Sequence, residues 1–327
     1  MKAVVIHEFG GTDVLTYQTI DKPTIRSNQI LVRVEKTSVN FADIKARYGK
    51  YHGFGKPPFI PGLDAVGIIE EMGSEVEQFT VGQRVIAFPK NGSYAEYIAV
   101  DKELAFVVPD NVEVDTAAAC PVVSFTSYHL LANLAQLEKG ETVVIHAAAG
   151  GIGTTSIQLA KILGAGCVIG TVGSKEKMTY AREAGADHVI CYEEEPFDEI
   201  VNEITKGEGA NVILDSIAGD LSDRNMNCLS MYGRLVNFGS AGGRAGQFKT
   251  TDLHSSCRSI LGYSLGTTIH KRPLLLKETA SRVLSYLAED KLKLNISQRY
   301  PLEEVAKAHE LIESRQSRGK IILDVQN

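Results

Sequence analysis

The stretch "ETVVIHAAAGGIGTTSIQLAKILGA", residues 141–165, has the pattern of a buried strand, a glycine-rich turn and an amphipathic helix. In the G-x-G-x-x-G fingerprint, the first glycine makes a tight turn, the second lets backbone approach a pyrophosphate, and the third allows close helix packing. Ala148, Gly150 and Gly153 occupy these three positions. Alanine is sterically tolerable at the first position if its φ is negative. The stretch therefore predicts a dinucleotide held at a helix N-terminus.

The sequence around this turn supports a dinucleotide fold over a purely structural turn. After residue 120, short segments rich in Val and Ile alternate with helical patterns such as "KEKMTYAREAGA". The candidate strands are "TVVIHA", "CVIGTV", "DHVICY", "NVILDSI", "GRLVNFG" and "RSILGYSL". Such alternation predicts an α/β domain with a parallel, doubly wound sheet.

The residues before 120 show a different pattern of apolar residues. Short apolar alternations there are separated by turn residues, which predicts a mostly β domain such as a small barrel. The last segment holds a strand, a helix and a strand beyond the sixth strand of the sheet, so we expect it to fold back onto the first domain. The predicted boundaries are 1–122 for the mostly β domain, 123–265 for the parallel-sheet domain and 266–327 for the returning segment.

Composition excludes several classes of protein. Lys plus Arg number 34 and Asp plus Glu 40, a net charge of −6 without blocks of like charge, which argues against a nucleic-acid partner. No apolar stretch is long enough to span a membrane, and the apolar run near Met1 is too short for a signal peptide. The five cysteines are far apart, which is typical of reduced thiols and predicts a cytoplasmic location. The histidines show no metal-ligand spacing, and His146 is expected to pack against the glycine turn.

The corner after the second strand indicates which dinucleotide binds. An Asp or Glu there would accept the ribose 2′-hydroxyl of NAD, but this chain has Gly173 and Ser174, with no carboxylate until Glu176. Ser174 and Lys177, with Tyr192 at the end of the next strand, offer donors and positive charge to a 2′-phosphate, so the predicted cofactor is NADPH. The alternative is that Ser174 only caps a helix and the lysines are solvated, an interpretation that we favour for Lys175.

Several motifs in order carry a resemblance to a known family. They are "SVNFADIKARYG", "PGLDAVGIIEEMGSEVEQFTVGQRVIAF", "GSYAEYIAV", "FTSYHLL", "VVIHAAAGGIGTTSIQLAKILGA", "GADHVICY", "GRLVNFGS", "YPLEEVAKAHELIES" and "GKIILDV". Together they resemble the NADPH:quinone oxidoreductase (zeta-crystallin-like) branch of the medium-chain dehydrogenase/reductase superfamily. The resemblance implies a GroES-like catalytic domain, a Rossmann domain, an active site in the cleft between them, and a homodimer.

The resemblance also implies site residues, position by position. The pyrophosphate would be held by Gly150, Gly151, Ile152 and Gly153, and the 2′-phosphate by Ser174, Lys177 and Tyr192. The nicotinamide end would be surrounded by Asn40, Thr126, Phe238 and Ser240, with Asn40 and Thr126 in positioning roles. Asn40 is equally well interpreted as a turn former.

The zinc alcohol dehydrogenases of the same superfamily differ at the metal ligands. They have a Cys where this chain reads Asn40 to Asp43, and a His-Glu pair where it reads Leu63-Asp64. No Cys precedes Cys120, so the ligands of a four-cysteine structural zinc lobe are missing too. We therefore predict no metal, and Asp64 is interpreted as a structural hydrogen-bonding residue rather than a base.

The substrate end departs from the family pattern. Lys45 stands where the family often has an aromatic residue, and Tyr48 and Tyr51 lie nearby as candidates for the substrate cleft. The segment "GKYHGFGKPPF", residues 49–59, would form a wall or lid. Hydride transfer to a quinone is the predicted reaction. A reductase of enoyl thioesters, 2-alkenals or other enones, and a non-catalytic NADPH-binding protein, remain alternatives.

Overall fold

A computed structural model of the chain describes residues 1–52 and 55–326. The chain divides into two compact units, residues 1–125 together with 265–327, and residues 126–264. Each unit is built around its own main sheet. No helix in the described ranges is long and apolar enough to cross a membrane.

The first unit is mostly β, as its short apolar alternations predict. Its N-terminal strands are β1 (Lys2–Ile6), β2 (Leu15–Thr19), β3 (Gln29–Val39), β4 (Ala65–Met72), β5 (Arg84–Ala87), β6 (Tyr97–Asp101) and β7 (Ala105–Val107). Strands β1 and β2 form an antiparallel pair. Strand β3, which is buried at both ends of its length, pairs with both β4 and β6.

The C-terminal strands complete the sheet of the first unit. They are β14 (Ile296–Pro301) and β15 (Lys320–Asp324), and the sheet order is β14-β15-β3-β4-β5-β7, with β6 also paired to β3. Strand β15 runs antiparallel to β3 with Ile321 opposite Val39, which brings Lys320 to the end of β3. The helices of this unit are α1 (Phe41–Arg47), α2 (Val114–Ala119), α9 (Leu265–Lys271), α10 (Leu276–Ala288) and α11 (Val305–Glu313).

The second unit contains the predicted parallel sheet. Its strands are β8 (Thr142–Ile145), β9 (Cys167–Val172), β10 (His188–Cys191), β11 (Ala210–Asp215), β12 (Leu229–Asn237) and β13 (Ser259–Gly262). All neighbours are parallel, in the order β10-β9-β8-β11-β12-β13. This is the strand order of a Rossmann fold, in which ligands bind at the carboxyl ends of the strands. The α/β fold class is therefore confirmed.

Helices cover the parallel sheet and bury its apolar residues. They are α4 (Gly151–Ile162), α5 (Met178–Glu183), α6 (Phe197–Ile204), α7 (Asp220–Cys228) and α8 (Thr251–His254). The core includes Val144, Ile169, Phe197 and Leu235, all fully buried. Before Gly140 the chain forms α2, α3 (Pro121–Tyr128) and a π-helical segment, His129–Leu134, rather than one continuous helix. Pro121 has no N–H to continue a helix from α2 into α3.

Candidate active site

The glycine turn joins β8 to α4 in the second unit. Helix α4 begins at Gly151, and Gly150 is its N-cap residue. A Cβ on Gly153 would lie only 2.3 Å from the Ala147 carbonyl oxygen, so no side chain fits there. A Cβ on Gly150 would lie 3.3 Å from the same oxygen. The third glycine is thus required by packing, while the second leaves bare backbone at the start of the helix.

Alanine at the first fingerprint position has a packing reason. The left-handed residue in the turn is Ala147, with φ of 52°, whereas Ala148 is not among the residues with positive φ. Ala148 is fully buried, and its N–H donates to the Thr171 carbonyl at 3.0 Å. A Cβ on Gly170 of β9 would lie 2.8 Å from the Ala148 methyl group. The methyl group therefore packs against the bare backbone of the neighbouring strand.

Ser174, Lys177 and Tyr192 lie at the same edge of the sheet. Ser174 follows β9 and Tyr192 follows β10, two neighbouring parallel strands. A Cβ on Gly173 would lie 2.8 Å from the Tyr192 hydroxyl oxygen, so the phenol packs directly against the residue before Ser174. Ser174 is the N-cap of the 3₁₀ turn that contains Lys177, yet its side chain makes no capping hydrogen bond.

The two lysines of this corner differ. Lys175 forms an ion pair with Glu194 at 2.5 Å, and both side chains are exposed. Lys177 is half-buried and has no ion pair among the described residues. This difference agrees with the interpretation of Lys175 as a solvated lysine and leaves the ammonium group of Lys177 available to an anion.

Residues predicted near the nicotinamide end lie in both units. Phe238 and Ser240 follow β12, at the same carboxyl edge of the sheet as the glycine turn, and Phe238 N–H donates to the Asp215 carbonyl at 2.9 Å. Thr126 is buried in α3, in the second unit. Asn40 belongs to the first unit.

Asn40 is the N-cap of α1, and all of its polar groups have partners. Its N–H donates to Asp43 Oδ2 at 2.8 Å, and its Nδ2 donates to Asp64 Oδ1 at 3.1 Å. Lys320 Nζ donates to its Oδ1 at 2.6 Å. Since lysine only donates and the Asp64 carboxylate accepts, the orientation of the Asn40 carboxamide is fixed. The turn-former interpretation and the positioning interpretation are therefore compatible.

Asp64 is a buried hydrogen-bond acceptor in the structure. Its Oδ1 also accepts from Ser38 Oγ at 2.7 Å, and its Oδ2 accepts from the Val122 N–H at 3.1 Å. Burial raises its pKa, while Lys320 and these hydrogen bonds oppose the shift. These bonds join β3, β4 and the start of α3, which agrees with a structural role.

Asp43 and Lys320 lie beside Asn40 and Asp64 and form a buried polar cluster with them, although neither residue was predicted there from the sequence. Burial, and next the charge of Asp64, raise the pKa of Asp43 to about 7, and burial lowers the pKa of Lys320. Oδ1 of Asp43 has no hydrogen-bond partner within the described residues, whereas its Oδ2 accepts from Tyr94 at 3.2 Å. The three-residue spacing of Asn40 and Asp43 is a local signal for the hydrogen bond between them. No local signal indicated that Lys320 lies beside these residues.

A second hydrogen-bond chain reaches Asp43 from α11. Arg47, fully buried, donates to His309 Nδ1 at 3.2 Å and forms an ion pair with Glu313 at 2.6 Å. Since arginine only donates, the proton of the neutral His309 ring is on Nε2, which lies 3.2 Å from the Tyr94 hydroxyl oxygen. Burial, and next the charge of Arg47, lower the pKa of His309 to about 3.

The substrate-cleft candidates surround α1. Lys45 lies over the Phe41 ring, and burial lowers its pKa. Tyr48 is exposed at the end of α1, next to the Arg47 guanidinium. Tyr51 is half-buried, and a Cβ on Gly266 would lie 2.5 Å from its hydroxyl oxygen.

Burial, and next the charge of Asp43, raise the pKa of Tyr51 to about 12, so its hydroxyl is protonated near neutral pH. Residues 53 and 54 of the predicted wall or lid lie outside the described residues.

Within residues 1–52 and 55–326, no group of three or more His, Cys, Asp or Glu side chains is arranged to hold a metal ion. The carboxyl edge of the second unit can instead bind a phosphorylated ligand through backbone N–H groups, Ser174 and Lys177.

Comparison with known proteins identifies both parts of the chain. The alcohol dehydrogenase GroES-like domain family matches residues 26–110, and the zinc-binding dehydrogenase family matches residues 151–281. A quinone oxidoreductase from Salmonella typhimurium is 33% identical over 332 residues, covering 98% of each chain. A 2-haloacrylate reductase from a Burkholderia species is 32% identical, also covering 98% of each chain.

A solved structure agrees with these sequence relatives. Escherichia coli quinone oxidoreductase complexed with NADPH superposes with a TM-score of 0.92 at 31% identity, covering 99% of this chain and 100% of that one. The chain therefore belongs to the quinone oxidoreductase branch of the medium-chain dehydrogenase/reductase superfamily.

Proposed function

We propose that this protein is an NADPH-dependent oxidoreductase that reduces quinones by direct hydride transfer without zinc. The observation that carries the proposal is the carboxyl edge of the six-stranded sheet, where the glycine turn lies beside a corner with Ser174, Lys177 and Tyr192. The quinone oxidoreductases among the relatives, and the NADPH bound to the Escherichia coli enzyme, support it.

The chain's own residues account for cofactor binding. The N–H groups at the start of α4 would donate to the pyrophosphate, which approaches over Gly150, Gly151, Ile152 and Gly153. Lys177 would pair with the 2′-phosphate, and Ser174 and Tyr192 would donate hydrogen bonds to it. A ribose 2′-hydroxyl gains far less from an ammonium group, so this corner favours NADPH over NADH.

Positioning is the chain's contribution to the chemistry. When bound, the nicotinamide supplies a hydride from C4. Asn40 and Thr126, with Phe238 and Ser240, are proposed to hold the nicotinamide end, and Lys45, Tyr48 and Tyr51 to line the acceptor site. Quinones accept hydride readily, so proximity and orientation supply much of the rate, and the product can take its proton from water.

Zinc independence rests on the residue types at the expected ligand positions. Asn40 and Asp64 are committed to each other and to Ser38 and Lys320, an ammonium group that would repel a cation. Neither cysteine nor histidine is present at these positions. The dehydrogenases that polarise an alcohol with zinc need such ligands.

An acceptor panel tests the reaction. The purified protein, dialysed against EDTA, is mixed with NADPH and 1,4-benzoquinone, a 2-alkenal or an enoyl-CoA, and NADPH oxidation is followed at 340 nm. We expect turnover with the quinone that is unchanged by chelation. Activity that EDTA removes and zinc restores would contradict zinc independence, and tight NADPH binding without turnover would favour a binding protein.

The 2-haloacrylate reductase among the relatives supports a second candidate, the reduction of α,β-unsaturated carbonyl compounds. Here hydride would go to the β carbon, and the α carbon would need a proton. The same panel separates the candidates, because faster turnover of the 2-alkenal or enoyl-CoA than of the quinone would favour the second.

We further propose that the protein forms a homodimer in the cytoplasm. Strand β13 ends the described parallel sheet, and Met231 and Tyr232 on β12 are 64% and 69% exposed. Light scattering on the protein eluted from a size-exclusion column should give twice the 35.5 kDa chain mass, and a mass of one chain would contradict the dimer.

The cysteines support the proposed cytoplasmic location. All five are free thiols, the form that a reducing compartment maintains.

A further inference from the structure

His146 is a fully buried histidine for which the proposed reaction has no use. It directly follows β8 and directly precedes Ala147, the left-handed residue of the glycine turn. Its Nδ1 lies 2.7 Å from Thr171 Oγ1, and its Nε2 lies 2.7 Å from Asn225 Oδ1. The ring therefore connects the ends of β8 and β9 with α7.

The partners determine the tautomer of the ring. Asn225 Nδ2 donates to Asp215 Oδ2 at 3.3 Å, which leaves Asn225 Oδ1 facing His146. That oxygen only accepts, so Nε2 carries the proton, and the Nδ1 lone pair accepts the hydroxyl proton of Thr171. Burial lowers the pKa of His146, although Asp215 opposes the shift, so the neutral ring is favoured.

The chain of hydrogen bonds continues to the loop after β11. Asp215 Oδ1 accepts from the N–H groups of Ile217 at 2.8 Å and Ala218 at 3.0 Å, and its Oδ2 also accepts from Ser222. The carbonyl groups of this loop bind the loop after β12. Ser216 O accepts from the Ala241 N–H at 2.9 Å, and Ile217 O accepts from the Gly242 N–H at 2.8 Å.

The network thus joins two loops that the proposed function assigns to opposite ends of the cofactor. At the pyrophosphate end, the Thr171 hydroxyl group donates to His146 Nδ1, and the Thr171 carbonyl oxygen accepts from the Ala148 N–H. At the nicotinamide end, the Ala241 and Gly242 N–H groups that bind residues 216 and 217 directly follow Ser240 in the loop after β12. The Phe197 ring packs edge-on against the imidazole at 5.1 Å, which keeps the imidazole in place.

We propose that His146 is a positioning residue for dinucleotide binding: its Nε2–H tautomer, held between Thr171 and Asn225, fixes the glycine turn relative to the loops after β11 and β12. This inference rests on the proposed function for the identity of the ligand. The tautomer itself follows from the structure alone.

Binding measurements on three variants test the positioning role. His146→Phe keeps a ring of similar size but removes both hydrogen bonds, and it should raise the Kd of NADPH about tenfold, in titrations that follow NADPH fluorescence. His146→Gln keeps an amide donor for Asn225 and should recover most of this loss. Thr171→Val removes one hydrogen bond and should raise the Kd several-fold, and it serves if His146→Phe does not fold. His188→Phe, at an exposed position of β10, is the matched control and should leave the Kd unchanged.

The outcomes separate this inference from the proposed function. A wild-type protein that does not bind NADPH contradicts the proposed function. Wild-type binding together with an unchanged Kd in His146→Phe and Thr171→Val, even with a lower melting temperature, overturns the positioning role. Side-chain ¹⁵N shifts of cofactor-free protein should show a protonated Nε2 and an unprotonated Nδ1 for His146, and the opposite tautomer would overturn the network as described.

Discussion

At the scale of residues, side chains and glycines distinguish the candidate site from an ordinary sheet edge. The fingerprint itself could be predicted, because the turn chemistry is local to residues 147–153. The reason for Ala148 could not, because its methyl group packs against Gly170 on another strand. The pairing of Lys175 with Glu194, which leaves Lys177 as the unpaired lysine of this described corner, likewise depends on two strands.

Lys177→Ala should weaken NADPH binding selectively. Only NADPH carries the 2′-phosphate that the ammonium group would pair with, so KM should rise about tenfold for NADPH and little for NADH. Steady-state kinetics with both coenzymes provide the measurement. Lys175→Ala is the matched control, because that lysine is already paired. Equal effects of Lys177→Ala on the two coenzymes would exclude the role.

Gly153→Ala should lower the stability of the protein, whereas Gly150→Ala should weaken NADPH binding. The new Cβ at 153 meets the Ala147 carbonyl oxygen at 2.3 Å, so we expect a loss of about 1–3 kcal/mol in the free energy of unfolding. At 150 the contact is 3.3 Å, so stability should change little, whereas the methyl group would obstruct the pyrophosphate. Urea unfolding and NADPH titration measure the two effects. Equal destabilisation by both variants would contradict this account of the turn.

At the scale of elements, local patterns predicted most of the secondary structure. The six strands of the parallel sheet could be predicted because fully buried strands give short runs of Val and Ile. The polar cluster around α1 could not be predicted, because Lys320 and Asn40 are 280 positions apart and Arg47 and Glu313 are 266 positions apart. The register of β15 against β3 brings Lys320 to Asn40, and the contact of α11 with α1 brings Glu313 to Arg47.

The N-terminus of α1 should give stability an unusual dependence on pH. Asp43 has an ordinary pKa of 3.8 and a folded-state pKa of about 7, so the folded protein holds this proton more tightly than the unfolded chain. The proton stabilises the fold fully below about pH 4, and this contribution is lost as the pH rises through 7.

Asp43→Asn cannot ionise but keeps an acceptor for the Asn40 N–H. The variant should therefore gain stability relative to wild type between pH 5 and pH 8, as measured by urea unfolding at each pH. Asp13→Asn, at an exposed position of the same unit, is the control. A constant difference between Asp43→Asn and wild type across this range would contradict the assignment.

At the scale of the whole molecule, the first unit depends on its C-terminal strands. Strand β15 lies between β14 and β3, and its Lys320 side chain is buried beside Asn40 and the two carboxyl groups of Asp43 and Asp64. Roughly the last 30 residues of the chain therefore belong to a sheet whose other strands lie between residues 29 and 107.

Lys320→Met should destabilise the first unit strongly. The substitution keeps the length of the side chain but leaves Asp64 without its buried counter-charge, a loss of about 3–5 kcal/mol in the free energy of unfolding. Lys36→Met is the matched control on the same strand pair. Lys36 is half-buried and pairs with Asp115 and Asp324, so we expect a loss of only about 1 kcal/mol. Equal losses in urea unfolding would contradict the proposed importance of the buried cluster.

The sheet edge of the second unit is proposed to recognise NADPH for the reduction of quinones. The most direct test is the ratio of kcat/KM for NADPH to that for NADH, measured on the wild-type protein with 1,4-benzoquinone. We expect a ratio of about ten or more in favour of NADPH, because Ser174, Lys177 and Tyr192 would make charge-assisted contacts with the 2′-phosphate. A ratio below one, with NADH preferred, would contradict it.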